Sequence, residues 1–371
     1  MNFEFNDEQH LIRDQAHSFL KDNCPTSIVR EVLEGDELYS ETLWKQVCEL
    51  GWTATVIPEE YGGLGLSYLE LVVIAEEIGR ACAPIPFGPS VYLATEAIMA
   101  TGSEAQKKKW LPLLAEGAAI GTLAYAEGPG ETNPGALGTS VSNDAITGKK
   151  CAVANGNIAS VICVLAANDK NDGVSMYLVD TSDPGVTVEA INTLDPSLNY
   201  ANVSFNSANC ELLGAQGEGW ALLNSLLNRA AVLYAWEQLG GAESCLEMAK
   251  EYAMQRYAFG RPIGSFQAIK HKLAEMYVKN TLARSNAYFG AWALNSDAIE
   301  LPLAAATARV GSCQAYYYAS KENIQTHGGM GYTWEFDCQF FYRRSKALAV
   351  LIGSERQWQE KLISASDLVA V

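Results

Sequence analysis

Two short stretches carry side chains suited to holding an anion. The first is Arg256-Tyr257-Ala258-Phe259-Gly260-Arg261-Pro262-Ile263-Gly264-Ser265-Phe266-Gln267. It places an arginine at a helix end, a glycine-broken loop behind it, and a glutamine at the opening of the next helix. The guanidinium offers charge and a fork of donors, while a helix N-terminus offers free N–H groups. An ordinary helix–loop–helix connection uses the same Gly and Pro residues, and spacing alone favours that plainer reading. The second stretch is Gln325-Thr326-His327-Gly328-Gly329-Met330-Gly331-Tyr332-Thr333. Its three closely spaced glycines let a backbone approach a ligand, as phosphate-binding loops require. The plainer reading there is a glycine helix cap, with His327 as a helix-terminal cation. No second histidine lies near His327 and Cys338 stands alone, so no metal site is expected.

The elements that position these stretches follow from composition and periodicity. A chain of 371 residues exceeds one simple core and implies two or three domains. With 49% hydrophobic residues and a mean hydropathy of −0.01 it is globular. Acidic residues outnumber basic ones 43 to 26, for a net charge of −17. Without a basic stretch to neutralise phosphates, a nucleic-acid partner is not expected. There is no long apolar run, and Met1-Asn2-Phe3-Glu4-Phe5-Asn6-Asp7-Glu8 is acidic where a signal peptide starts basic. The nine cysteines form no CxxC pair and read as free thiols. A cytoplasmic protein with no membrane segment is expected.

Three blocks are expected. Residues 1–118 form an N-terminal α-helical domain, with apolar stripes through Leu11, Ile12, Ala16 and Leu20 and again through Tyr68 to Arg80. Between them Ile57-Pro58-Glu59-Glu60-Tyr61-Gly62-Gly63-Leu64-Gly65 must be a loop. Residues 119–214 hold short β-branched runs separated by Asp, Asn, Gly and Pro turns, which predicts a small antiparallel sheet or barrel. Residues 215–371 are helical again. One helix spans Trp220 to Tyr257, interrupted only at Gly240-Gly241; others span Gln267 to about Ser296 and Leu301 to His327. The fold class is α+β, ending in a helical bundle.

The order RxxFGxxxxxxQ (Arg256, Phe259, Gly260, Gln267), then QxxGGxG (Gln325, Gly328, Gly329, Gly331), behind a helical segment carrying PEEYGGLG and a central β region, resembles the acyl-CoA dehydrogenase family over essentially the whole chain. The resemblance implies an N-terminal helical domain, a β-sheet domain and a C-terminal four-helix bundle. It implies FAD bound at subunit interfaces, an acyl-CoA substrate, and homo- or heterotetramers. In the family a carboxylate removes an α-proton while a β-hydride passes to the flavin, which an electron-transfer flavoprotein then reoxidises. Arg256, Phe259 and Gln267 are similar to the residues that reach a neighbouring subunit's FAD. Gln325, Gly328 and Gly329 are similar to the loop against that FAD's pyrophosphate or adenosine.

The chain departs from the family where the chemistry should occur. The usual glutamate near the C-terminus is replaced by Ile352, in Leu351-Ile352-Gly353-Ser354, and an alkyl group accepts no proton. Another branch places its glutamate where this chain has Ala230. Glu237 is the remaining candidate base. It lies seven residues on, about 700° around the helix and hence on nearly the same face, but roughly 10.5 Å further along. A structural carboxylate inside a bundle is an equal reading of Glu237, and Glu355 is a weaker candidate. The flavin-ring loop reads Tyr125-Ala126-Glu127-Gly128-Pro129-Gly130-Glu131-Thr132-Asn133, with Ala126 where the family has a threonine. The later W[IV]TN element becomes Ala152-Val153-Ala154-Asn155. Residues expected to act on the chain's own flavin are altered, and those expected to reach a neighbour's are kept. This pattern resembles the non-catalytic half of heteromeric enzymes that degrade steroid side chains. Three readings follow: an acyl-CoA dehydrogenase or a subunit of one, a family member with other chemistry, and a silent partner completing a neighbour's site.

Overall fold

The computed structural model describes residues 5–168 and 173–369, with side chains described as far as 366. The expected α+β order is observed. Helices α1 (Asp7–Asn23), α2 (Thr26–Glu34), α3 (Glu41–Glu49) and α4 (Tyr68–Arg80) come first. A buried π-helical turn, Gly88–Thr95, then runs into α5 (Glu96–Thr101), and α6 (Glu104–Ala115) follows. Capping boxes start α1, between Asn6 and Gln9, and α6, between Ser103 and Gln106. Next come strands β1 (Gly121–Ala124), β2 (Ser140–Ser142), β3 (Ala145–Ala154), β4 (Val161–Asn168), β5 (Val174–Asp180), β6 (Val186–Ile191), β7 (Tyr200–Asn209) and β8 (Glu211–Leu213). The chain closes with α7 (Gly219–Gln255), a short hairpin of β9 (Tyr257–Ala258) and β10 (Arg261–Pro262), α8 (Gln267–Asn295), α9 (Leu301–His327), α10 (Cys338–Val350) and α11 (Glu355–Val369). Among the described residues no helix is long and apolar enough to cross a membrane.

Two compact units are formed. One gathers Met1–Glu31, Tyr68–Ala83 and Ala231–Val371; the other gathers Val32–Ser67 and Pro84–Ala230. In the second unit the sheet is mixed, which corrects the antiparallel expectation. The strand order is β6-β7-β3-β2-β4-β5-β8, and both β1 and β2 run parallel to β4. The segment between β1 and β4 is long enough to let the chain return in the same direction. A two-residue turn forces the antiparallel pairing of β2 with β3. Asn143 and Asp144, both at positive φ, join β2 to β3 as a type I′ turn requires. The apolar faces of Ile146, Val164, Val179, Val203 and Phe205 form this sheet's core.

In the first unit, α4 is not a one-sided stripe. Every residue from Leu71 to Gly79 is buried, Glu76 and Glu77 included. A helix covered on all sides must neutralise its charges internally. Arg284 reaches Glu76 at 2.6 Å, Arg80 reaches Glu77 at 3.2 Å, and His17 Nδ1 lies 2.8 Å from Glu77. In α1 the buried face is Gln9, Ala16 and Leu20, while Leu11 turns to solvent.

Gly240 and Gly241 do not interrupt α7, which is continuous. They are there for clearance. A Cβ on Gly240 would stand 1.8 Å from the Glu76 carbonyl oxygen, and one on Gly79 would stand 1.8 Å from the Glu237 carbonyl oxygen. The two glycines therefore let α4 and α7 cross backbone to backbone. Gly241 receives the Tyr316 ring, 2.4 Å from where its Cβ would be. Gly240→Ala is expected to force the helices apart and cost about 3 kcal/mol, measured as a lowered urea midpoint with an unchanged slope.

Candidate functional site

The Arg256–Gln267 stretch is a hairpin rather than an irregular loop. β9 and β10 pair as Ala258 with Arg261 and Tyr257 with Pro262. The two turn residues, Phe259 and Gly260, both have positive φ, 54° and 74°. Glycine takes that conformation freely; phenylalanine takes it at a cost of roughly 1–2 kcal/mol. Phe259 stands at the tip, 95% exposed, and Arg261 packs 4.1 Å over the Phe266 ring at the base. Arg256 is exposed on the same side of the sequence motif, and its carbonyl accepts from the Ile263 amide. α8 opens at Gln267 with no side-chain cap, so its first N–H groups stay available.

The second stretch closes α9. Gln325 is exposed in its last turn, and Gly328, at φ 61°, starts a 3-10 turn through Tyr332. A Cβ on Gly328, Gly329 or Gly260 would meet nothing within 4 Å, so all three leave room for a ligand against the backbone. His327 is not a terminal cation. Its ring stacks on Tyr252 at 4.1 Å and Nδ1 lies 2.9 Å from the Asn323 carbonyl. Burial lowers its pKa, against the smaller upward pull of that hydrogen bond. Both motifs thus lie in one unit and leave open space beside their glycines.

The loop after β1 that the family resemblance sets against the flavin ring belongs to the other unit, and an ion pair that sequence did not reveal, between a buried lysine and a half-buried glutamate, fixes its shape. Lys150, on β3, is fully buried, and its ammonium lies 2.7 Å from Glu127 Oε1 and 3.4 Å from the Tyr125 carbonyl. The Glu127 carboxylate also accepts from the amides of Gly138, at 2.6 Å, and Thr139, at 2.9 Å. The Cys151 amide donates to the Ala126 carbonyl. Burial pushes the Glu127 carboxyl upward, but the bonds from Lys150, Thr139 and Gly138 outweigh it and hold the pKa at about 2. The stabilisation is therefore present above the ordinary value of 4.5 and is lost as pH falls through about 2. After allowance for the water that still reaches the carboxylate, about 1–2 kcal/mol is at stake. Acid titration of stability should show this loss in the parent chain, and Glu127→Gln should flatten that limb of the curve.

Beside this clip, Ala126, Ala152 and Ala154 offer no hydroxyl and no aromatic wall. Ala152 sits on a bulge at φ 50°. The Ala154 carbonyl already accepts from Thr122. Asn155 Nδ2, one residue on, is a buried donor without a hydrogen-bond partner. Toward FAD the residues fit unequally. Gly260, Gly328 and Gly329 leave open space beside the backbone in which a nucleotide portion would fit, and Arg256 and the α8 N-terminus would be the donors toward it. The ring loop has kept its backbone frame and one free donor but has lost its side-chain hydroxyls.

The positions for a base are placed as follows. Ile352 is 1% exposed in the turn between α10 and α11, where its carbonyl accepts from Trp358 Nε1 at 3.1 Å. Ala230 is fully buried on α7. Glu237 is 4% exposed, 4.0 Å from the guanidinium of Arg344, which itself donates to the carbonyls of Cys82 and Ala83. Glu355, at the start of α11, accepts from Gln314 and Gln359.

Comparison with known proteins gives the class. The acyl-CoA dehydrogenase N-terminal domain model matches residues 6–118, and the acyl-CoA dehydrogenase C-terminal domain model matches residues 217–365. The acyl-CoA dehydrogenase IpdE2 of Mycolicibacterium smegmatis is 33% identical over 96% of this chain and 98% of its own length. Its Mycobacterium tuberculosis counterpart is 31% identical over 96% and 97%. Butyryl-CoA dehydrogenase from Megasphaera elsdenii superposes with a TM-score of 0.91 at 25% identity, over 98% of this chain and 99% of that one. The steroid ACAD Tcur3481-Tcur3483 gives 0.89 at 26%, over 98% and 99%. The chain belongs to the acyl-CoA dehydrogenase family. These are FAD-binding flavoprotein oxidoreductases that dehydrogenate acyl-CoA thioesters.

Proposed function

We propose that this chain is one subunit of a heteromeric acyl-CoA dehydrogenase and completes the FAD site of a related partner that carries the base. One observation carries this reading. Both positions at which the family resemblance looks for the base, Ile352 and Ala230, hold alkyl groups, and the remaining candidate, Glu237, is an interior carboxylate beside Arg344. Placed 4.0 Å from the buried Arg344 guanidinium, Glu237 has a structural role as the counter-charge of that interior cation. Arg256, Phe259, Gln267, Gln325, Gly328 and Gly329 are the residues proposed to reach the partner's cofactor, where bound FAD would accept the hydride. Their task is to hold phosphates and exclude water.

Likeness to the steroid ACAD Tcur3481-Tcur3483 supports a heteromer and a bulky, ring-derived acyl group. An electron-transfer flavoprotein is the proposed acceptor. The nine free thiols support a reducing cytoplasmic setting. Flavin absorbance tests the reading. The isolated chain should retain well under one FAD per chain and show no acyl-CoA oxidation. One FAD per isolated chain, with turnover, would overturn it.

A further inference from the structure

The helices that carry the Gln325–Gly331 turn have a charge opposite to that of the molecule. α8, α9 and α10 hold nine Lys or Arg residues against two glutamates, in a chain of net charge −17. Arg309 and Arg344 lie in the core, and Arg284 pairs with Glu76 and Glu243. Lys279 and Lys321 are exposed and Lys346 is half-buried, and each lies against a tyrosine ring. Lys279 and Lys321 stand 4.9 Å and 5.9 Å from the Tyr318 ring. Lys346 stands 3.3 Å from the Tyr317 ring and 5.5 Å from that of Tyr342, and those two rings are 6.2 Å apart. Both glutamates are already engaged. Glu322 takes Lys272 at 2.6 Å and Lys321 at 3.3 Å, and Glu275 accepts from the Tyr318 hydroxyl. The exposed row of α9, through Gln314, Tyr317, Lys321 and Gln325, leads directly to Gly328 and Gly329.

We propose that this cationic, aromatic strip docks an acidic face of a related but different subunit and works against pairing with a second copy of this chain. A closed two-fold interface sets the same patch against itself. Lys279, Lys321 and Lys346 would then meet their own copies as water is excluded, and like charges across an interface reject that partner. Carboxylates opposite would pair with the ammonium groups, and the tyrosine rings would supply apolar contact. The inference rests on the heteromeric reading, but its test does not use flavin, so either can fail alone.

The probe is a charge-reversed copy of the chain, Lys279→Glu with Lys321→Glu and Lys346→Glu, in sedimentation velocity at about 20 mM salt, where screening is weak. Wild type and the reversed copy should each stay unpaired at this face, and their mixture should form a one-to-one complex that about 0.3 M salt weakens at least tenfold. A neutral set, Lys279→Gln with Lys321→Gln and Lys346→Gln, should self-associate more than wild type despite its more negative net charge. The proposal is overturned if the mixture stays apart. It is also overturned if wild type self-associates at low salt and the Gln set weakens that association.

Discussion

Replacing Arg344 with methionine is expected to cost about 3–5 kcal/mol, a large part of the stability of a domain. The guanidinium is 1% exposed and does three things at once. It lies against the Glu237 carboxylate, and it donates to the carbonyls of Cys82 and Ala83 just beyond α4. Methionine fills most of the volume but returns none of the charge, so a buried carboxylate loses a neighbouring cation and two carbonyls lose a donor. Glu237→Gln keeps size and polarity and should cost less, because the guanidinium retains its two carbonyl partners. Urea unfolding of both variants measures the difference. If Glu237→Gln abolishes turnover of the assembled enzyme at unchanged stability, Glu237 is the base and the structural assignment is wrong. Equal, small costs for both variants would show that the pair contributes little.

Ala126→Thr combined with Ala154→Thr should raise flavin retention by the isolated chain about 5- to 150-fold. Each hydroxyl restores one hydrogen bond worth about 0.5–1.5 kcal/mol, and each 1.4 kcal/mol is a factor of ten. The frame for these hydroxyls is already present. Lys150 and Glu127 hold the loop, and Cys151 bonds to Ala126 through the backbone. The third lost feature does not return as easily. Ala152 has φ 50°, where a tryptophan would be strained, so Ala152→Trp should gain less than its ring contact suggests. Flavin absorbance after gel filtration reads the effect. No gain from the paired threonines would mean that the loop no longer receives a ring at all.

Much of the architecture was legible because long helices repeat their signal. α8 and α9 end within a residue of where apolar spacing and glycine place them. The glycine-rich turn at Gly328 was legible for the same local reason. What sequence hid depends on partners far away in the chain. Glu127 and Lys150 meet across 23 residues only when β3 takes its place beside the loop. Glu237 and Arg344 are separated by two long helices, α8 and α9, and neither residue type announces burial. Gly240 and Gly241 looked like a break because intrinsic propensity counts against glycine in helices. The need for α4 to touch the helix backbone overrides it, and no local window contains α4. The hairpin tip at Phe259 was hidden by the rarity of phenylalanine at positive φ.

The close crossing of α4 and α7 also sets a schedule for the chain at synthesis. The hydroxyl of Ser244 donates to the carbonyl of Arg80, 164 residues earlier. Leu71, Val72, Val73 and Ile74 leave the ribosome long before the backbone that will cover them exists. At about 5–20 residues per second the wait is roughly ten to thirty seconds, far longer than local helices need to form. The nascent protein must therefore carry an apolar helix covered only in part, by α1, through translation of its whole β sheet. Chaperone demand and aggregation at high expression would then depend on the time until α7 emerges rather than on the stability of the finished fold.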